Sequence, residues 1–177
     1  YPSSSGPEIL VGHSNFESTV EETSFIQGYR VEGNRIVETR RIRTNLSSVG
    51  ALCMADIDGD GDLDLFAGGR TVPGRYPEPA SSMLFINDSG PFVPDSENNA
   101  NLKEIGLITG ALFSDIDSDN DPDLILAVEW GPVTILENRG GTFSDATASF
   151  GLSDYVGWWN GVTTGDFNED GRLDIVA

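Results

Sequence analysis

The stretch that decides the fold runs Asp56-Ile57-Asp58-Gly59-Asp60-Gly61-Asp62-Leu63-Asp64-Leu65. Aspartate stands at every odd position, and apolar residues stand at the second, eighth and tenth positions. Two later stretches have the same register, Asp115-Ile116-Asp117-Ser118-Asp119-Asn120-Asp121-Pro122-Asp123-Leu124 and Asp166-Phe167-Asn168-Glu169-Asp170-Gly171-Arg172-Leu173-Asp174-Ile175. Self-similarity at a spacing of roughly 50–60 residues is typical of repeat architectures. We call these stretches loop one, loop two and loop three.

Short runs of β-type residues surround each loop. A run of small and apolar residues precedes each loop, at 50–52, 110–113 and 160–162. A second run follows each loop, at 65–67, 124–128 and 175–177. Two such runs around a turn predict a β-hairpin. Further strand candidates lie at 83–87, 91–93, 133–138 and 141–143, which gives about four strands per repeat, the content of one β-propeller blade.

The alternating aspartates have the spacing of a calcium loop. Calcium binds roughly six to eight oxygens, which a tight loop can direct inward from alternate residues. The predicted ligands are the side chains at the first, third, fifth and ninth positions and the backbone carbonyl at the seventh. They are Asp56, Asp58, Asp60, Asp62 and Asp64 in loop one, Asp115, Asp117, Asp119, Asp121 and Asp123 in loop two, and Asp166, Asn168, Asp170, Arg172 and Asp174 in loop three.

An EF-hand and a metal-free turn are weaker interpretations of the loops. An EF-hand needs a glutamate at the twelfth position, where this chain has Ala67, Leu126 and Ala177. Aspartate also favours turns without any metal, but one register repeated in three loops favours calcium. The sixth position is a residue type that tolerates the left-handed backbone of a sharp turn. It is held by Gly61, Asn120 and Gly171.

These features predict an all-β fold, a partial β-propeller of four-stranded antiparallel blades with Asp-rich calcium loops. The predicted units are a partial blade at 1–48 that lacks an acidic loop, blades at 49–109 and 110–160, and the start of another at 161–177. Because the run 173–177 stops where its counterpart 63–67 continues into Gly68 and Gly69, we expect a fragment whose further partner is the rest of the propeller.

The net negative charge of the chain disfavours some classes of binding partner and favours others. Asp and Glu number 29 against 10 Lys and Arg, for a formal net charge of -19. That field repels nucleic acid and anionic lipid and attracts cations, and no apolar stretch is long enough to insert into a membrane. The basic group Arg40, Arg41 and Arg43 alternates with apolar residues, which favours a solvated strand face over an anion site.

The loops resemble the D-x-D-x-D-G-x-x-D loops of the FG-GAP or VCBS repeat family. The stretches 68–77, Glu129-Trp130-Gly131-Pro132 and Gly157-Trp158-Trp159-Asn160-Gly161 resemble more narrowly the ASPIC/UnbV-type secreted proteins. The resemblance implies a closed propeller in the parent protein, an extracellular or cell-surface location (periplasmic in a bacterium), and a binding or adhesive role. Asn120, Pro122 and Asn168 depart from the family pattern, which bears on calcium affinity.

Several residues outside the loops are candidates for contact with a protein or glycan ligand. They are Arg70, Arg75, Tyr76, Trp130, Trp158 and Trp159. Inserted loops on rigid scaffolds often bind partners, although large aromatic residues also fill the space between blades.

Three functions remain open from the sequence. The leading hypothesis is a non-enzymatic, calcium-stabilised binding module. An alternative is the propeller of a polysaccharide lyase or glycosidase, with Glu129 and a neighbouring Asp as the carboxylate pair. A purely architectural spacer is the third.

Overall fold

The computed structural model of the chain describes residues 2–3, 6–15 and 23–177. They form antiparallel sheets, which confirms the all-β prediction. The hairpin of β1 (Pro2–Ser3) and β2 (Gly6–Pro7) comes first. Sheet one follows, with β3 (Ile9–His13), β4 (Phe25–Glu32) and β5 (Arg35–Arg43) in sequence order. Strands β3 and β5 are the two edges of sheet one.

Sheets two and three are meanders of consecutive strands. Sheet two contains β6 (Ser48–Ala55), β7 (Asp64–Thr71), β8 (Met83–Ile86) and β9 (Val93–Pro94). Sheet three contains β10 (Leu107–Ser114), β11 (Asp123–Gly131), β12 (Thr134–Arg139) and β13 (Thr142–Asp145), and β14 (Gly157–Trp158) pairs with the end of β11. Sheet four contains β15 (Thr163–Gly165) and β16 (Asp174–Val176). Each acidic loop joins the first two strands of its sheet, as predicted.

The sheets pack face against face, which explains why β7 and β11 are apolar on both faces. Strand β10 lies against β6 and β7, and β3 lies against β6. Within β7, Leu65 packs with Ile26 of sheet one, whereas Phe66 packs with Ile108 of sheet three. All four side chains are fully buried, so alternate residues of one strand fill two successive cores.

Glycines allow the first strands of neighbouring sheets to approach closely. A Cβ atom on Gly50 would lie 2.9 Å from the carbonyl oxygen of Ile108, and one on Gly110 would lie 2.9 Å from the Cα of Gly161. Backbone in that position cannot move aside cheaply, so these sites require glycine. Among the described residues, no sheet closes on itself into a barrel.

One short helix lies between β9 and β10, outside the elements that the sequence analysis predicted. Helix α1 (Ser96–Asn101) begins at the N-cap Asp95, whose side chain accepts hydrogen bonds from the backbone N–H groups of Glu97 and Asn98. A capped segment of six residues is too short to show helical periodicity. No helix in the described part of the chain is long and apolar enough to cross a membrane.

Candidate metal centre

The ninth-position aspartates anchor loops one and two. Asp64 is fully buried, and its Oδ1 accepts from the backbone N–H of Asn87 at 2.8 Å while Oδ2 accepts from that of Ile57 at 3.1 Å. Asp123 repeats the pattern with the N–H groups of Asn138 (2.8 Å) and Ile116 (2.9 Å). Each carboxylate thus fixes its loop to the third strand of its sheet.

Burial raises the pKa of both Asp64 and Asp123. The backbone hydrogen bonds oppose this shift, and neighbouring loop carboxylates reinforce it: Asp58 and Asp60 for Asp64, and Asp119 and Asp115 for Asp123. A buried carboxylate among other carboxylates is costly to ionise unless a cation compensates it. These carboxylates could therefore hold a metal ion.

The first-position aspartates shape the turn in all three loops. The backbone N–H groups of Gly59 and Gly61 donate to the two oxygens of Asp56, at 2.8 and 2.9 Å. Asp115 and Asp166 each accept from the fifth- and sixth-position N–H groups of their own loops. The predicted left-handed turn at the sixth position is confirmed, with φ values of 92° at Gly61, 78° at Asn120 and 84° at Gly171.

The fourth position is also left-handed, which the sequence analysis missed. The φ values are 79° at Gly59, 66° at Ser118 and 60° at Glu169. Only loop one has glycine there, so the other two loops adopt an unfavourable backbone for their residue type. Two left-handed residues with one residue between them allow the loop to curl around its centre.

Carboxylate oxygens converge in two of the three loops. Oxygens of Asp56, Asp58 and Asp64 lie within 4.8 Å of one another, and so do those of Asp115, Asp117 and Asp123. Oxygens that share one calcium ion at about 2.3–2.6 Å must be roughly this close. Among the described residues, the carboxylates of loop three form no such group.

The fifth- and seventh-position side chains have additional contacts. Asp60 and Asp119 each accept a hydrogen bond from the backbone N–H two residues later, at 2.8 and 2.9 Å. The Oδ2 of Asp62 accepts from the N–H of Ser89 at 2.7 Å, and that of Asp121 accepts from Gly140 at 2.8 Å. The seventh side chain thus holds the next turn of its sheet, and the predicted ligand there is the backbone carbonyl.

Two buried asparagines, which the sequence analysis did not identify, hold the loops in place through hydrogen bonds. Asn87 and Asn138 are fully buried at the ends of β8 and β12. The Nδ2 amide of Asn138 donates to the carbonyl of Ile57 in loop one at 2.9 Å, and its Oδ1 accepts from the N–H of Gly141 at 2.9 Å. An asparagine three residues before a glycine occurs in both sheets, and that pattern is the sequence signal for these residues.

Glu137 adds a carboxyl group to loop two alone. Desolvation and a hydrogen bond shared with Glu137 raise the pKa of Asp117 to about 6. Arg139 pairs with Glu137 at 2.9 Å and holds the pKa of that carboxyl below its usual range. The corresponding position of sheet two is Ile86, so loop one has no counterpart.

The candidate partner residues gather at the opposite end of the strands. The loops precede β7 and β11, whereas Arg70, Tyr76 and Trp130 lie at or beyond the far ends of those strands. Arg70 pairs with the buried Glu129 at 2.5 Å, and the Tyr76 hydroxyl donates to Glu129 at 2.6 Å. The indole N–H of Trp130 donates to the Tyr76 hydroxyl at 3.0 Å.

Trp158 completes this group, and two further candidates lie apart from it. The ring centroids of Trp130 and Trp158 are 4.8 Å apart with a 52° tilt, and both side chains are more than half exposed. We call Tyr76, Trp130 and Trp158 the aromatic surface. Arg75 pairs instead with Glu78, and the indole N–H of Trp159 donates to the carbonyl of Gly131 at 3.0 Å.

Comparisons with known proteins agree with the repeat register. The model of the FG-GAP-like repeat family matches residues 115–177. Cartilage acidic protein 1 of Homo sapiens is 44% identical over 73 residues, which cover 41% of this chain and 10% of the relative. The proteins of the same name from Xenopus tropicalis and Mus musculus are 40% and 41% identical over segments of the same length and coverage.

The match thus spans about a tenth of the length of these relatives. Loops two and three lie inside the region that the family model matches. Loop one has the register of loop two and the same two hydrogen bonds at its ninth-position aspartate. The resemblance to FG-GAP repeat proteins is confirmed, because residues 115–177 match the model of the FG-GAP-like repeat family.

Proposed function

We propose that this chain is a calcium-binding, non-enzymatic repeat module of an extracellular protein and that it binds a protein or glycan partner. The observation that carries the calcium assignment is the convergence of three carboxylates, one of them fully buried, at equivalent positions of loops one and two. Three anions at that separation repel strongly without a compensating cation.

The donor set favours calcium over softer metals. All the predicted ligand atoms of loop one are oxygens, from Asp56, Asp58, Asp60 and Asp64 and from the carbonyl of Asp62, and the same positions of loop two supply the same set. Calcium prefers such ligands, whereas zinc and copper sites commonly include histidine or cysteine. When bound, the ion would hold the first two strands of a sheet together through its loop.

Successive sheets that stack through their first strands support the proposal of a propeller arc. Sheets two and three are consecutive antiparallel meanders of the blade type, and sheet one has three strands. We propose blades at 49–109 and 110–160, a partial blade at 1–48 and the start of another at 161–177. The remaining blades would come from further parts of the parent protein.

The extracellular location and the binding role follow from the family resemblance. The matched relatives are animal proteins whose name refers to cartilage, so nothing in the comparisons favours the periplasm. The aromatic surface supports binding, because exposed tryptophan and tyrosine side chains dominate many interfaces. Trp130 has φ of 66°, an unusual conformation for a bulky residue, and such outliers often mark functional sites.

The enzyme alternative is not favoured. Glu129, its proposed catalytic carboxylate, is buried and is held by Arg70 and Tyr76. A glycosidase needs a second carboxyl group facing the first across a substrate. The contacts of Glu129 instead fix the base of the aromatic surface.

Calorimetric titration of the chelator-stripped chain with calcium tests the proposal. We expect at least two sites, one lost in Asp64→Asn and another lost in Asp123→Asn. Asp154→Asn changes an exposed aspartate outside the loops and should leave both sites intact. A titration without calcium-dependent heat would refute the calcium assignment.

A further inference from the structure

The aromatic surface brings together three segments of the chain that contact one another directly. Tyr76 comes from the loop after β7, Trp130 from the end of β11 and Trp158 from β14, which pairs with β11. The indole N–H of Trp130 reaches the Tyr76 hydroxyl at 3.0 Å, and the centroids of the two indole rings are 4.8 Å apart. Because these contacts join side chains that are each about half exposed, the three rings form one continuous exposed patch.

The hydrogen-bonding groups of Tyr76 and Trp130 are already engaged within the protein. The hydroxyl of Tyr76 donates to Glu129, and the indole N–H of Trp130 donates to the Tyr76 hydroxyl. A tyrosine hydroxyl has one proton to donate, and the N–H is the only polar group of an indole. The exposed area of these two side chains therefore offers ring faces and edges to a partner rather than hydrogen-bond donors.

The two arginines nearest to Tyr76 in the sequence are both neutralised by glutamates. Arg70 pairs with Glu129, and Arg75 pairs with Glu78. These ion pairs compensate the positive charges that would otherwise repel a cation from the rings. In the whole chain, Asp and Glu outnumber Lys and Arg by 29 to 10, so the net field attracts cations and repels anions.

The charge of the chain discriminates among the partner classes that exposed tryptophans can bind. An acidic glycan is repelled by the net charge of -19. A neutral glycan gains nothing from that charge, and it needs polar groups to fix its orientation, which the engaged groups of Tyr76 and Trp130 do not supply. A cation is attracted both by the net charge and by the electron-rich faces of indole rings, the strongest aromatic partners for cations. A basic ligand therefore fits both the rings and the charge.

The tilt between the two indole rings favours small planar groups over one large flat ligand. The planes of Trp130 and Trp158 meet at 52°, so no single flat face spans both rings. A guanidinium group is planar and weakly hydrated and stacks on aromatic faces, whereas the ammonium group of lysine is strongly hydrated. Arginine side chains of one segment can therefore stack on the two indoles separately.

We infer that the partner of the aromatic surface is an arginine-rich protein segment. Its guanidinium groups stack on the exposed faces of Trp130 and Trp158, and Tyr76 positions Trp130 through their hydrogen bond. The inference rests on the proposed function, because it names the class of partner for a surface to which that function assigns binding. It does not depend on the metal sites, since no predicted calcium ligand belongs to the aromatic surface.

A titration of the calcium-saturated chain with a capped peptide of three arginines alternating with glycines tests this inference. Tryptophan fluorescence and calorimetry both measure the binding. The same peptide with citrulline in place of arginine keeps nearly the same shape without the charge, and we expect it to bind about tenfold more weakly. Trp158→Leu should weaken binding of the arginine peptide about threefold, the size expected for one exposed cation–π contact.

Phe167→Leu is the matched control, since it removes an exposed aromatic side chain of loop three that lies outside the aromatic surface. It should leave the affinity for the arginine peptide unchanged. Thermal melting of Trp158→Leu verifies that this variant is folded. Chitohexaose, a neutral glycan, and heparin, an acidic glycan, serve as comparison probes, and we expect neither to bind at the aromatic surface.

Two results with the arginine peptide would overturn the inference. Equal affinity for the arginine and citrulline peptides would exclude recognition of charge, and unchanged affinity in Trp158→Leu would place the peptide elsewhere on the acidic surface. Glycan binding that Trp158→Leu weakens, without binding of the arginine peptide, would overturn the inference but retain the aromatic surface as a binding site. Absence of binding by every probe would overturn the inference and the binding role of this surface together, and the calcium titration tests the metal sites separately.

Discussion

Loops one and two differ from loop three although all three share one sequence register. In the first two, a fully buried aspartate accepts two backbone hydrogen bonds and three carboxylates converge. In loop three, Asn168 stands at the third position, and its Nδ2 amide donates to Asp170 at 3.2 Å and approaches Asp174 at 3.5 Å. An amide group thus stands where loops one and two have the third-position carboxylate of their clusters. The residue at the third position therefore decides whether three carboxylates converge in the loop.

The largest expected effect is the loss of stability when calcium is removed from the chain. Removal of calcium should lower the melting temperature of the chain by about 10–20 °C, because each occupied site adds about 2.7 kcal/mol at a free calcium concentration one hundred times its Kd. Differential scanning calorimetry with and without excess EGTA measures this shift. An unchanged melting temperature would mean that the clusters in loops one and two need no cation.

Neutralising the ninth position should affect loops one and three differently. Asp64→Asn should weaken calcium binding at its loop by roughly two orders of magnitude, because ligand charge tunes affinity and Asp64 is the buried ligand of its loop. Asp174→Asn should weaken its own loop by about tenfold at most, since that loop begins with one fewer carboxylate. Calorimetric titration of each variant measures both changes. Equal losses of calcium affinity in the two variants would contradict the distinction between loop one and loop three.

Asn168→Asp should convert loop three toward the type of loops one and two. The change removes the amide donor and supplies a fourth carboxylate ligand, so the calcium affinity of loop three should rise by about tenfold. The measurement requires the Asp64→Asn/Asp123→Asn background, in which loop three is the remaining predicted site. Asn160→Asp, an exposed change outside the loops, is the control and should leave the affinity unchanged.

The smallest effect is the response of the metal-free chain to pH. Burial raises the pKa of Asp64 and Asp123, and the pKa of Asp117 rises to about 6. A carboxyl group with a raised folded-state pKa binds a proton more tightly when folded, so stability increases as the pH falls from 7 toward the unfolded pKa near 4. In calcium the trend should reverse, because protons displace the ion. Melting curves at pH 7 and pH 5 measure both trends.

Asp117→Asn should reduce the pH response of the metal-free chain, whereas the exposed Asp154→Asn should preserve it. A metal-free chain that loses stability between pH 7 and pH 5 would contradict the sign of this prediction.

The sequence predicted the local features of these loops but not their long-range partners. The register of aspartates and the left-handed turn at Gly61 follow from local backbone chemistry, and the hairpin strands follow from the apolar runs on either side. The backbone N–H of Asn87 that holds Asp64 comes from a strand 23 residues later. Which N–H satisfies a buried carboxylate depends on sheet pairing, and no local pattern specifies that pairing.

The same limit applies to the candidate partner residues. Trp130 and Trp158 were predicted as partner contacts, and the structure brings them together through the pairing of β14 with β11. The burial of Glu129 depends on Arg70 and Tyr76, which lie more than 50 residues earlier in the chain, so no local pattern separates it from a catalytic carboxylate.

The hydrogen bond from Asn138 to the carbonyl of Ile57 connects sheet three to loop one of sheet two. An ion that orders loop one would therefore also order the turn after β12, which lies beside loop two. Neighbouring sites joined in this way share their ordering free energy, so calcium binding along the repeats would be positively cooperative between nearest neighbours. In a longer array, loss of calcium would spread inward from the terminal repeats, because each of those has a neighbour on one side only.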